Sequence, residues 1–126
     1  MIKKILIIDD SPIARKILKS CLPTDYEYEL YEAVDGKDGL EKYKEFNPDL
    51  TFLDLTMPIM TGDECLREMR KFDEKAVVVI ITADIQTKSI MNVMDLGAIA
   101  VVKKPPSKEA IQMAFSKARE TLANLR

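Results

Sequence analysis

Histidine is absent from the 126-residue chain. That removes histidine general bases, Ser-His-Asp and Cys-His nucleophile systems and His-ligated zinc. Cysteine is nearly as scarce. Cys21 and Cys65 are too few for a zinc site or a disulfide framework, and they are expected to be reduced thiols in helix-packing positions. Long apolar runs are missing: none reaches the ~18–20 residues of a membrane span. Met1-Ile2-Lys3-Lys4 leads into Ile5-Leu6-Ile7-Ile8 and two aspartates, without the longer apolar stretch of a secretory signal. The expected location is the cytoplasm, with no membrane partner. Charge of one sign is also lacking. Nineteen Lys and Arg against 21 Asp and Glu leave a net charge of −2, which gives no reason to expect nucleic-acid binding. Carboxylates, hydroxyls, amines and the backbone remain to do the chemistry.

The chain is 47% hydrophobic and 32% charged, the balance of a globular protein, and its length fits one domain over residues 1–126. Strand and helix patterns alternate along it. Ile5–Ile8 is a short apolar run suited to a strand buried on both faces. Asp10-Ser11-Pro12 is a helix start, followed by Ile13, Ala14, Ile17, Leu18 and Cys21 at helical spacing, with Pro23 as the stop. Glu29–Val34 reads as a weaker edge strand, followed by an Asp35-Gly36 turn. Leu40, Tyr43 and Phe46 mark a second helix closed by Asn47-Pro48, and Leu50–Leu53 a third strand ending at Asp54. After a loop over 56–62, Cys65, Leu66, Met69 and Phe72 mark a third helix. Ala76–Ile81 is the clearest strand and ends at Thr82. A fourth helix through Ile90, Val93, Met94 and Leu96 closes at Gly97. Ile99–Val102 is a fifth strand, and Ile111 to Leu125 a final amphipathic helix. Five such units imply a parallel sheet with helices on both faces.

In sheets of this kind, ligands bind outside the carboxyl ends of the strands. Those ends carry Asp9 and Asp10, then Asp54, then Thr82 and Ala83, then Lys103 and Lys104. Singly these are ordinary: an aspartate caps a helix, a threonine closes a turn, a lysine before proline lies in solvent. Together, three carboxylates, a hydroxyl and an ammonium converge on one crevice. Three close carboxylates raise one another's pKa values, and a divalent cation relieves the repulsion. An all-oxygen site of this kind favours Mg²⁺ over zinc or copper. Lysine and threonine then have an anion to hold, as in phosphoryl transfer, and one carboxylate could itself become an aspartyl phosphate.

These stretches, Ile5–Ser11, Asp49–Gly62, Ile80–Ala83 and Gly97–Pro105, resemble the receiver domain of bacterial two-component response regulators. The likeness is strongest to the stand-alone, chemotaxis-regulator-like (CheY-like) members. It implies a flavodoxin-like, doubly wound five-stranded parallel sheet of order 2-1-3-4-5 with five helices, and no output domain. It implies Asp54 as phosphoacceptor, Asp10 as a direct Mg²⁺ ligand, Asp9 as one partly through water, and the Thr56 carbonyl as a further ligand. Thr82 and the Ala83 amide would bind the phosphoryl group, and Lys104 would pair with another of its oxygens. Pro105 would follow a cis bond. The donor would be a sensor histidine kinase or a histidine phosphotransfer protein. A downstream target would meet the face of the fourth helix, fifth strand and fifth helix.

Two positions depart from the family pattern. Val101 stands where Tyr or Phe is usual in the switch, and Pro106 follows Pro105. Asp84 is expected to alter water access or charge near the phosphoryl group. Met91, Met94 and Met113 are expected to pack in the core, with a partner surface as the alternative. Two other functions compete. An aspartate-nucleophile phosphohydrolase of the haloacid dehalogenase type would need a second Asp at position 56, where Thr56 stands. A degenerate receiver would have lost an acid or the lysine, and both are retained.

Overall fold

The computed structural model describes residues 1–25 and 27–125. Strands β1 (Lys4–Ile8), β2 (Glu29–Ala33), β3 (Leu50–Asp54), β4 (Val78–Thr82) and β5 (Ala100–Lys103) form one parallel sheet in the order β2-β1-β3-β4-β5. Helices α1 (Pro12–Cys21), α2 (Gly36–Phe46), α3 (Gly62–Phe72), α4 (Thr87–Asp95) and α5 (Lys108–Asn124) alternate with the strands. This is the doubly wound arrangement expected.

Side chains alternate across the strands, so the apolar runs feed two cores. Ile5, Ile7, Phe52, Val79 and Ile81 pack with Leu18 of α1 and with Ile111 and Phe115 of α5. Leu6, Ile8, Leu53, Val78 and Ile80 pack with Tyr43 of α2, Leu66 and Met69 of α3 and Val93 of α4. Strand β2 is an edge, as expected, and most of its residues stay partly exposed.

The helix starts follow capping chemistry. Ser11 accepts the Ala14 N–H, with Pro12 entering α1. Asp35 accepts the Asp38 N–H and so starts α2 rather than only closing a turn. Asn47 adopts the left-handed conformation that stops α2.

Several strand boundaries differ from the sequence expectation: β1 starts one residue earlier, at Lys4, β2 stops one earlier, at Ala33, and β4 and β5 are both shifted. The paired residues of β4 begin at Val78, not Ala76, although the Val77 carbonyl already accepts the Thr51 N–H. Strand β5 runs one residue later than expected, pairing Thr82 with Lys103. The Lys104 N–H then donates to the Thr82 carbonyl at 2.9 Å, which brings Lys104 level with the end of β4. The Lys104–Pro105 bond is cis.

Both cysteines are buried and free, as expected. The core placement of Met91, Met94 and Met113 is overturned, since all three are exposed, Met113 by 74%. Helical spacing alone did not reveal that α4 buries just one of its side chains, Val93.

Candidate functional site

The sheet reverses direction of growth at β1, whose neighbours are β2 on one side and β3 on the other. Asp9 and Asp10 follow β1 and Asp54 ends β3, so the crevice at this reversal is walled by acids. Carboxylate oxygens of Asp9, Asp10 and Asp54 lie within 4.8 Å of one another. Asp9 and Asp54 are 5% and 4% exposed, whereas Asp10 faces solvent. The Lys104 ammonium reaches in from the end of β5, 2.8 Å from Asp9 Oδ2 and 3.1 Å from Asp54 Oδ1.

The electrostatics follow from that crowding. Burial, then the neighbouring charge of Asp9, raises the pKa of Asp54, against the opposing pull of Lys104 and of the Thr56 amide that donates to it. Burial alone would lower the pKa of Lys104. Its bonds and charge attraction to Asp9 and Asp54 outweigh this, so it is raised and the side chain stays an ammonium. The three acids fit Mg²⁺: they are hard oxygen donors, close together, with the exposed Asp10 side open to the waters this ion retains.

Thr82 is buried at the end of β4, and its hydroxyl accepts the Asp84 N–H at 3.0 Å. Ala83 is exposed beside it. The Asp84 carboxylate is bonded to the start of α4. Its Oδ1 accepts the Gln86 N–H at 3.1 Å and its Oδ2 accepts the Ser89 hydroxyl at 2.7 Å. Val101 is half-buried and packs on the edge of the second core.

The model of the response regulator receiver domain matches residues 5–116. The chain belongs to this family. Receiver domains generally bind Mg²⁺ through an acidic pocket, and the aspartate cluster here has that character. Among relatives, the chemotaxis protein CheY of Halobacterium salinarum is 34% identical over 116 residues, covering 92% of this chain and 96% of that protein. CheY of Bacillus subtilis is 32% identical over 117 residues, covering 93% and 98%. In structure, a receiver domain from Clostridium thermocellum superposes with a TM-score of 0.89 at 27% identity, covering 98% and 99%. A CheX–CheY complex with BeF₃ and Mg²⁺ from Borrelia burgdorferi gives 0.87 at 28% identity, covering 93% and 89%. The chain is thus a CheY-like receiver of two-component signalling, a class that interacts with kinases and downstream targets.

Some of the receiver's supports were not evident in the sequence. Arg15 is the clearest. Its Nη1 donates to the Asp9 carbonyl at 2.6 Å and its Nε to Glu32 Oε1 at 2.9 Å, tying the acid-bearing loop to α1 and β2. The available signal was its place one turn after the Ser11 cap. Gly62 is the second. A Cβ there would lie 2.1 Å from the Asp54 carbonyl, so only glycine lets α3 start this close to β3. Ile59, in the loop between them, has φ 73, a strained conformation for a β-branched residue.

Proposed function

We propose that Asp54 accepts a phosphoryl group from a phosphohistidine on a sensor kinase or histidine phosphotransfer protein, and that residues 1–126 work as one receiver domain. An Asp54 carboxylate oxygen attacks phosphorus, the P–N bond breaks, and the imidazole leaves with the bonding electron pair and takes up a proton. Lys104 shifts from bridging Asp9 and Asp54 to pairing with a phosphoryl oxygen, the Thr82 hydroxyl donates to a second, and the Ala83 amide lies beside them. Asp9, Asp10, Asp54 and the Thr56 carbonyl would hold Mg²⁺. When bound, it neutralises charge on the transferring group. The observation that carries this reading is the Lys104 ammonium seated between the buried Asp9 and Asp54 at the reversal of the sheet.

Phosphorylation then shifts a population between two conformations. With Val101 on β5, no aromatic side chain follows Thr82 inward, so the movement is read by the β4–α4 loop and α4. The proposed output surface is the face of α4, β5 and α5. Its support is the exposure of Ile85, Met91, Met94 and Met113 and a groove of about 640 Å³ lined by Val101, Lys104, Pro105, Ala110, Met113 and Lys117. The proposed compartment is the cytoplasm, in keeping with two buried, unpaired thiols.

Incubation with Mg²⁺ and acetyl phosphate tests the reading. One base-labile, acid-stable phosphoryl group per chain, absent from Asp54→Asn, supports it. Steady turnover of many phosphomonoesters would favour a hydrolase, and no incorporation would favour a phosphorylation-independent module.

A further inference from the structure

The Thr82 hydroxyl is the acceptor for the Asp84 N–H, and the Asp84 carboxylate is the acceptor for the Ser89 hydroxyl. One residue therefore joins the buried end of β4 to the third position of α4. The join matters because α4 has little else to fix it. Its N-cap, Gln86, makes no side-chain cap bond, and Val93 is its one buried residue. Asp84 adds a bond from two residues upstream by accepting the N–H of the N-cap residue itself, Gln86. Beside α4, a groove of about 260 Å³ of mixed polar and apolar lining, bounded by Thr56, Met57, Thr61, Asp84, Ser89 and Val93, separates it from the β3–α3 loop, so the helix has room to shift.

We infer that the Asp84–Ser89 hydrogen bond is the link through which the position of the Thr82 hydroxyl reaches α4, so that Asp84 and Ser89 are positioning residues of the switch. The inference rests on the proposal that Thr82 turns towards a phosphoryl group on Asp54. A hydroxyl that moves inward either leaves the Asp84 N–H without its acceptor or draws the loop after it. A buried or half-buried amide does not readily lose its partner, so the loop follows. Asp84, bonded to Ser89, then pulls the first turn of α4. Cutting the Ser89 bond leaves Asp84 with only the Gln86 N–H, so the hydroxyl still moves but less of its movement reaches α4. The link is two bonds long and passes through named atoms, and it needs no aromatic residue on β5.

Methionine methyl NMR on the full chain reads this directly, because Met91 and Met94 lie on α4 while Met69 is buried in α3. Spectra are compared with and without Mg²⁺ and acetyl phosphate, with mass spectrometry recording phosphoryl incorporation. In the wild type, the Met91 and Met94 methyl signals move on phosphorylation. In Ser89→Ala, incorporation stays close to wild type while those movements fall to below about half. Ser89→Thr keeps the hydroxyl and restores them. Full wild-type movements in Ser89→Ala, or loss of phosphorylation in it, would overturn the link. Absence of phosphorylation in the wild type would overturn the underlying reading instead, and is seen before any variant is made.

Discussion

Helices α3 and α4 leave the same end of the sheet, from the neighbouring strands β3 and β4, yet they are held in different ways. Helix α3 opens with a full capping box between Thr61 and Glu64 and buries Gly62, Cys65, Leu66 and Met69. Asp63 and Glu64 sit in its first turn and Arg70 and Lys71 in its last, each sign favourable to the helix dipole. Helix α4 has no side-chain cap at Gln86, no acid in its first turn, no base in its last, and one buried residue. The difference divides the labour of the site. The strand that carries the proposed acceptor, Asp54, runs into a helix fixed by its core. The strand that carries the Thr82 hydroxyl runs into a helix with one buried residue, linked to it by a short chain of polar bonds.

The contrast can be broken by substitution. The largest effect is expected at the buried methionine. Met69→Ala should cost about 3 kcal/mol in denaturant unfolding, while Met94→Ala should stay within about 0.5 kcal/mol. Comparable losses would show that α4 is packed as firmly as α3. Next in size is the proposed acceptor. Asp54 has a raised pKa, so the folded state binds its proton more tightly than the unfolded state does. Its ionised form therefore weakens the fold above the raised pKa. In Mg²⁺-free buffer, Asp54→Asn should be more stable than wild type at neutral pH. This advantage should shrink as pH falls through the raised pKa and vanish below the ordinary carboxylate range. A pH-independent difference between the two unfolding curves would contradict this.

The caps come third. Thr61→Ala removes a bonded cap and should cost about 1 kcal/mol, whereas Gln86→Ala should change stability by only a few tenths, about 0.3 kcal/mol. Thermal or chemical unfolding of the pair measures this. The smallest effect is local. The Ser89 hydroxyl and the Gln86 N–H hold the Asp84 carboxyl below its usual pKa. In Ser89→Ala that pKa should rise towards the ordinary value, read by carboxyl NMR titration. An unchanged titration would mean that the Asp84–Ser89 bond is not maintained in solution.

The candidate site was legible in the sequence because its residues are fixed by topology. Apolar runs ending in Asp9, Asp54, Thr82 and Lys104 place those residues at one end of a parallel sheet whatever their helices do in detail. Strand bounds slipped by a residue or two, since Ala76 and Ile99 are as apolar as the residues paired beyond them. The methionines of α4 and α5 were misplaced because helical spacing shows which residues share a face but not whether another element covers it. Arg15 and Ser89 were invisible for a related reason. Arg15 acts through bonds to the Asp9 carbonyl and to Glu32 on β2, and Ser89 through a side-chain bond to Asp84, and neither leaves a mark in residue type. The buried hydroxyl of Thr51 has no hydrogen-bond partner among the described residues, and nothing in the site explains its presence in β3.

Location of the phosphoryl group tests the central claim most directly. The chain would be phosphorylated with acetyl phosphate and Mg²⁺, reduced with borohydride, which converts an aspartyl phosphate to homoserine, and mapped by peptide mass spectrometry. Homoserine at position 54 alone is the predicted result. Reduction at Asp9 or Asp10, or none at position 54 in a chain that has taken up phosphate, would contradict the assignment of Asp54 as the acceptor.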